Sequence, residues 1–148
     1  MPLKKKMEKI RGTQEFGVQI FWDSKSAAEE VTNESVEAKK ILNEIKFRPR
    51  GLAYMYTQKL KEVMKRELED KAERYFKEFY EDIRSHVNDV RIEKIPKVEG
   101  DKQMIMNLSC LTSKDRVQEL GRELDKINNT PHFSVKFTGP WPAYSFMT

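Results

Sequence analysis

The sequence predicts an α+β domain of the ferredoxin-like type, βααββαβ, with a four-stranded antiparallel sheet and an enlarged helical hairpin that includes one long helix. Three observations carry that prediction. Four segments alternate apolar and polar residues with the period of two that a half-buried strand requires. Apolar residues recur every three or four positions from Leu52 to Val87 without a Gly or Pro, the signature of a long amphipathic helix. The other helical patterns fall between the first and second strands and between the third and fourth, which is the order of a split βαβ unit.

The first strand is read over Glu15 to Asp23, EFGVQIFWD, with Phe16, Val18, Ile20 and Trp22 on one face and Glu15, Gly17, Gln19 and Asp23 mostly on the other. Asp23 and Ser24 can cap a short helical turn through Ser26, Ala27, Ala28 and Glu29, because their side-chain oxygens accept orphan backbone N–H groups. Thr32 and Asn33 mark a break, after which Val36, Ala38, Ile41, Leu42 and Ile45 continue at helical spacing. The segment FRPRG, Phe47 to Gly51, ends that pattern, since Pro49 lacks a backbone donor and pushes Arg48 away from helical angles. The long helix then begins near Leu52. Reaching Val87 it would measure about 54 Å, against a radius of gyration of about 15 Å for a compact chain of this size. Its first half is therefore expected to pair antiparallel with the helix Val36 to Lys46, leaving the second half to cover the sheet. Any part of its stripe left uncovered is a ready partner surface.

In Asp89 to Ile95, Val90 and Ile92 face one way and Arg91 and Glu93 the other. After a turn around Pro96 and Gly100, Gln103 to Leu111 alternates Met104, Met106, Leu108 and Cys110 with Gln103, Asn107 and Ser109, so the two strands read as a hairpin. Thr112 or Ser113 is expected to cap a final helix with Val117, Leu120, Leu124 and Ile127 as its buried stripe, ending at Asn128 and Asn129. The last strand, His132 to Thr138, turns Phe133, Val135 and Phe137 inward. The sheet face away from the helices carries Gln19, Phe21, Arg91, Glu93, Asn107, Ser109, Ser134 and Lys136, which is polar enough to sit in water.

At 148 residues the chain is one domain, read as residues 15–148 behind a basic tail over 1–14. Its 38% hydrophobic and 10% aromatic content is too high for a disordered chain, despite 35% charged residues. One cysteine, Cys110, excludes an intramolecular disulfide, and two distant histidines, His86 and His132, offer no metal-ligand spacing. The start lacks the apolar core of a secretory signal, and no uncharged stretch approaches the roughly 18 apolar residues of a membrane span. A soluble cytoplasmic protein is expected. The net charge is +4, and Lys4, Lys5, Lys6 and Lys9 against Glu8 place +3 of it in the first nine residues, with the rest nearly neutral.

No catalytic, cofactor or metal site emerges, and no enzyme activity is expected. An RNA-recognition sheet would display stacking aromatics on its central strands, whereas the third strand reads MIMNLSC. Cys110 falls in phase with Met104, Met106 and Leu108 and reads as core rather than nucleophile. His86 stands where a helix C-terminus favours it. Glu67 with Asp70, and Glu81 with Asp82, lie among Lys and Arg on a helix surface and read as solvated charge patterns. Six glycines form no phosphate cradle.

The segment that stands out is the C-terminus, TGPWPAYSFMT. Gly139 and Pro140 are expected to enforce a turn, and Pro142 keeps Trp141 extended, so Trp141, Tyr144 and Phe146 follow the last strand as a rigid aromatic segment. Such residues either fold back over the domain as a clasp or serve as binding anchors.

GPWPAYSF closely resembles the GPWPPYSF ending of the gas vesicle protein F/L family, with Ala143 in place of a proline. RGTQEFGVQIFWD (Arg11 to Asp23) is similar to that family's glutamate-containing strand, with Gln19 where the family usually has lysine, and GLAYMYTQKLKE (Gly51 to Glu62) to its Gly-x-Ala-Tyr helix start. MNLSCLTSKDRVQEL follows the family's strand, short loop and helix with an Asp-Arg-Val run. The resemblance covers residues 11–148 and corresponds to the family's C-terminal domain, ahead of which members commonly carry a further domain. It implies a non-enzymatic accessory or minor structural protein of gas vesicles, without cofactor, that contacts the small hydrophobic shell protein and other accessory proteins during assembly. On that reading the candidate partner-binding residues are Tyr54, Tyr75, Phe76 and Phe79 on the long helix, with Trp141, Pro142, Tyr144 and Phe146 at the C-terminus. The alternative, drawn from charge, is a nucleic-acid or anionic-surface binding module led by Lys4, Lys5, Lys6 and Lys9, whose affinity would fall steeply with salt.

Overall fold

Alternating burial along Thr13–Asp23 makes the first strand, β1, with Phe16, Val18, Ile20 and Trp22 all inward. The structure is a computed structural model and describes residues 12–96, 101–142 and 146; the lysines of the basic tail lie outside them. Asp23 ends β1 and caps α1 (Ser24–Glu34), its carboxylate accepting the Ser26 backbone N–H at 3.3 Å. The Ser26 hydroxyl also donates to that carboxylate, and this bond together with the one from the backbone N–H holds the Asp23 carboxyl below the usual carboxylate range.

The expected break at Thr32 and Asn33 is absent, because the Thr32 hydroxyl donates to the Ala28 carbonyl at 2.8 Å and so satisfies itself within the helix. The break falls at Ser35. Its N–H closes α1 on the Val31 carbonyl, and its hydroxyl opens α2 (Val36–Phe47) by accepting the Ala38 N–H at 3.1 Å. The short turn of the sequence reading is thus a full helix of three turns ahead of the hairpin. Arg48 and Pro49 are extended, at ψ 150° and 154°, and turn the chain into α3 (Arg50–Arg84). With 35 residues, α3 is about 52 Å long.

The second strand, β2 (Asp89–Ile92), is shorter than expected, and β3 (Lys102–Ser113) longer. Thr112 and Ser113 belong to β3 and cap nothing; the fourth helix, α4 (Val117–Asn128), starts after Arg116 without a side-chain cap. Ser113 instead hydrogen-bonds the Asp115 carboxylate and lowers its pKa. The last strand is β4 (Phe133–Trp141). The sheet order β2-β3-β1-β4, antiparallel throughout, is the predicted split βαβ arrangement.

A bulge alters one expectation about the core. Ile20 pairs with Met106 but Phe21 with Met104, so β3 carries an extra residue at Ile105. Ile105 rather than Met104 therefore joins the main core. There Val18, Ile20, Trp22, Met106, Leu108 and Cys110 of the sheet meet Phe79 and Ile83 of α3, Ala27 of α1 and Leu120, Leu124 and Ile127 of α4. On the opposite face Gln19 Nε2 reaches Asn107 Oδ1 at 3.5 Å, between residues directly opposite in register, which keeps that face polar.

Candidate functional site

Among the described residues no group of three or more His, Cys, Asp or Glu is disposed to hold a metal ion. Cys110 is fully buried, and desolvation pushes its thiol up to about 12, so the side chain stays a neutral part of the core. His86 turns its ring toward α4, 3.8 Å from Glu119 and 3.6 Å from Glu123. Among the described residues large apolar side chains are exposed in several places, two of which hold candidate residues.

The first is the far end of the α2–α3 hairpin. The two helices are held together by a small second core of Ala38, Ile41 and Val63, with Ile45, Tyr56, Leu60 and Met64 against it. Arg48 locks the turn: its guanidinium meets Glu44 at 2.7 Å and lies over the Tyr56 ring at 5.6 Å from the centroid. Phe47 is 77% exposed, Met55 67% and Tyr54 66%, and Leu52 is nearly half exposed. Leu52, Met55, Tyr56 and Lys59 line a groove of about 220 Å³ on one flank.

The second place is the end of β4. Gly139 and Pro140 do not turn the chain away; they form a bulge joined by a cis peptide, and pairing resumes with Trp141 opposite Glu15. Gly139 sits at φ +117°, and a Cβ there would come within 2.9 Å of the Glu15 carbonyl oxygen, so the bulge needs glycine. Phe137 stacks on Phe16 at 5.1 Å, while Trp141 remains 52% exposed. Phe146 returns over the sheet, buried against Leu111 with the Arg91 guanidinium 5.5 Å from its ring centroid.

The eight candidate residues are therefore divided. Phe79 is 6% exposed and belongs to the main core. Tyr75 and Phe76 are half-buried against that core, with Tyr75 edge-on to Trp22 and Phe133 and its hydroxyl donating to Glu30 at 2.9 Å. Burial and the Glu30 carboxylate push Tyr75 up to about 12. Phe146 is the intramolecular clasp. Tyr54, Trp141 and Pro142 are open to solvent, and Tyr144 lies outside the described residues. Periodicity alone had credited Leu52 to the buried stripe and passed over Phe47 and Met55. A charge count over a moving window would have found this end: residues 39–61 hold seven cations against one carboxylate, a net +6 in a chain whose total is +4.

Residues 2–148 match the family described as gas vesicle synthesis protein GvpL/GvpF. Over 154 aligned residues the chain is 21% identical to gas vesicle protein L of Haloferax mediterranei, covering 97% of this chain and 47% of that protein. The crystal structure of GvpF from Anabaena sp. PCC7120 shares the fold with a TM-score of 0.81 at 18% identity, over 99% of this chain and 58% of the other. GvpF from Microcystis aeruginosa gives a TM-score of 0.65 at 15% identity, over 99% and 59%. The chain thus spans about half the length of the curated relative it matches and under two thirds of the two solved chains.

Proposed function

The chain belongs to the gas vesicle synthesis protein GvpL/GvpF family, and from that premise we propose that it acts in gas vesicle assembly as an accessory or minor structural protein, by binding the shell protein or other accessory proteins. It works by contact rather than by catalysis, in the cytoplasm at the growing vesicle. The observation that carries this reading is the hairpin end, where the large apolar side chains Phe47, Leu52, Tyr54 and Met55 are exposed outside the domain's own cores. Monomeric proteins seldom leave such patches without a use. Trp141, exposed on the edge strand β4, adds a second anchor of the residue type most enriched in binding hot spots. Among the described residues no helix is long and apolar enough to cross a membrane, which is compatible with that setting.

Co-expression with a gas vesicle shell protein followed by pull-down tests the reading. Capture is expected from the wild type and is expected to weaken in Tyr54→Ala, in Trp141→Ala, or in both. Failure of the wild type to capture the shell protein removes it as a partner, and undiminished capture by both variants removes the two surfaces.

A further inference from the structure

Resting on that reading, we propose that the end of the α2–α3 hairpin is a docking site for an acidic amphipathic helix of a protein partner, with one apolar side chain of that helix seated in the groove and its carboxylates met by the surrounding lysines and arginines. Charge supplies the first argument. Of the seven cations over 39–61, Arg48 is taken by Glu44; Lys39, Lys40, Lys46, Arg50, Lys59 and Lys61 are exposed and make no ion pair among the described residues. Elsewhere on the helical layer Glu30 and Glu34 are met by Lys71, and Glu37 by Arg66 at 2.7 Å. A partner helix that brings carboxylates meets six cations that the chain's own described residues leave unengaged.

Shape supplies the second argument. The groove is lined by Leu52, Met55, Tyr56 and Lys59, and the Arg48 guanidinium lies over the Tyr56 ring. An apolar pocket with a cationic rim matches a helix that projects leucine-like residues every three or four positions between glutamates or aspartates. Phosphates of a nucleic acid would use the cations and leave the groove empty. A bilayer surface would require the exposed apolar residues to lie in one plane, yet Leu52 and Tyr54, two positions apart on a helix, point about 200° apart. A helix laid along one flank needs only that flank.

The test uses the full chain and a labelled synthetic amphipathic helix with leucines at every third and fourth position and glutamates between them, titrated by fluorescence anisotropy. The acidic peptide is expected to bind, more weakly as salt is raised, and a version with lysines for the glutamates is expected not to. Lys59→Glu combined with Lys61→Glu should lower affinity about tenfold or more, and Leu52→Ser with Met55→Ser should lower it several-fold, about as expected for emptying a groove of its apolar walls. All four positions are outside both cores, so unchanged melting temperatures establish that the variants are folded. Equal binding of the acidic and basic peptides, undiminished binding by the variants, or no binding by the wild type overturns the proposal. So does displacement of the peptide by phosphatidylserine vesicles that bind the wild type and not the variants, which assigns the end to a lipid surface. If the peptide result is negative while shell-protein capture persists, the docking chemistry falls and the assembly reading stands; the converse result leaves the hairpin end intact and removes the shell protein.

Discussion

From Leu68 to Ile83, α3 lies on the sheet, and Tyr75 and Phe79 pack on Trp22 and Phe133; from Arg50 to Val63 it packs on α2, and Leu52, Tyr54 and Met55 stay exposed. Both halves carry the same apolar period. The difference is what the rest of the chain provides. A sheet offers a broad apolar face to the sheet-side half, whereas a single twelve-residue helix offers the outer half a narrow seam built on Ala38, Ile41 and Val63. An aromatic residue at helical spacing is thus core in one half and free surface in the other.

The largest effect is expected where the sheet-side half is cut into. Phe79→Ala should cost about 3 to 5 kcal/mol, the range for truncating a buried aromatic, and should appear as a large fall in melting temperature with loss of the main core. Ile41→Ala, in the small seam, should cost about 2 kcal/mol, near the lower end for a buried aliphatic. Amide exchange would distinguish the two: Ile41→Ala should release protection in α2 and the first half of α3 while leaving β1 and β3 protected. Equal loss of protection throughout would mean that the hairpin and the sheet unfold as one unit, and the comparison would fail.

A smaller and pH-dependent effect belongs to Tyr75. Removing its hydroxyl in Tyr75→Phe takes away the bond to Glu30 and should cost about 1 kcal/mol at neutral pH. The phenol ionises at 10.0 when exposed and near 12 here, so its contribution is complete below about pH 10 and is lost as pH rises through about 12. The stability gap between wild type and Tyr75→Phe should therefore close across that interval in alkaline denaturation series. The smallest effect is expected for Tyr54→Ala, within about 0.5 kcal/mol of wild type, together with the weakened partner capture described above. A large loss of stability in Tyr54→Ala would show that the outer half is also packed, and would sink its role as a binding surface.

Much of this architecture was legible beforehand because it is written in local periodicity. Phe16, Val18, Ile20 and Trp22 alternate as a strand must, and the Pro49 corner divides two helical patterns wherever the chain later goes. Where the reading missed, a partner distant in sequence or a side-chain hydrogen bond had intervened. Thr32 continues α1 because the Ala28 carbonyl takes its hydroxyl, and Gly139 with Pro140 stays in the sheet because β1 is there to pair with Trp141.

The candidate surfaces were half legible for the same reason. Tyr54 and Trp141 were named as aromatic residues free to bind, but so were Tyr75 and Phe79, which look identical in a helical pattern and are consumed by Trp22 and Phe133. The sequence by itself determined the order of elements, the faces they carry and, through its terminal GPWPAYSF segment, the family. Only the tertiary structure decided which stretch of each face finds a cover within the chain: Phe146 settles over Leu111, Ile105 displaces Met104 from the main core, and the hairpin outruns the sheet. Periodicity is set by neighbours three or four residues away, whereas burial depends on how much apolar surface distant segments bring to the same place.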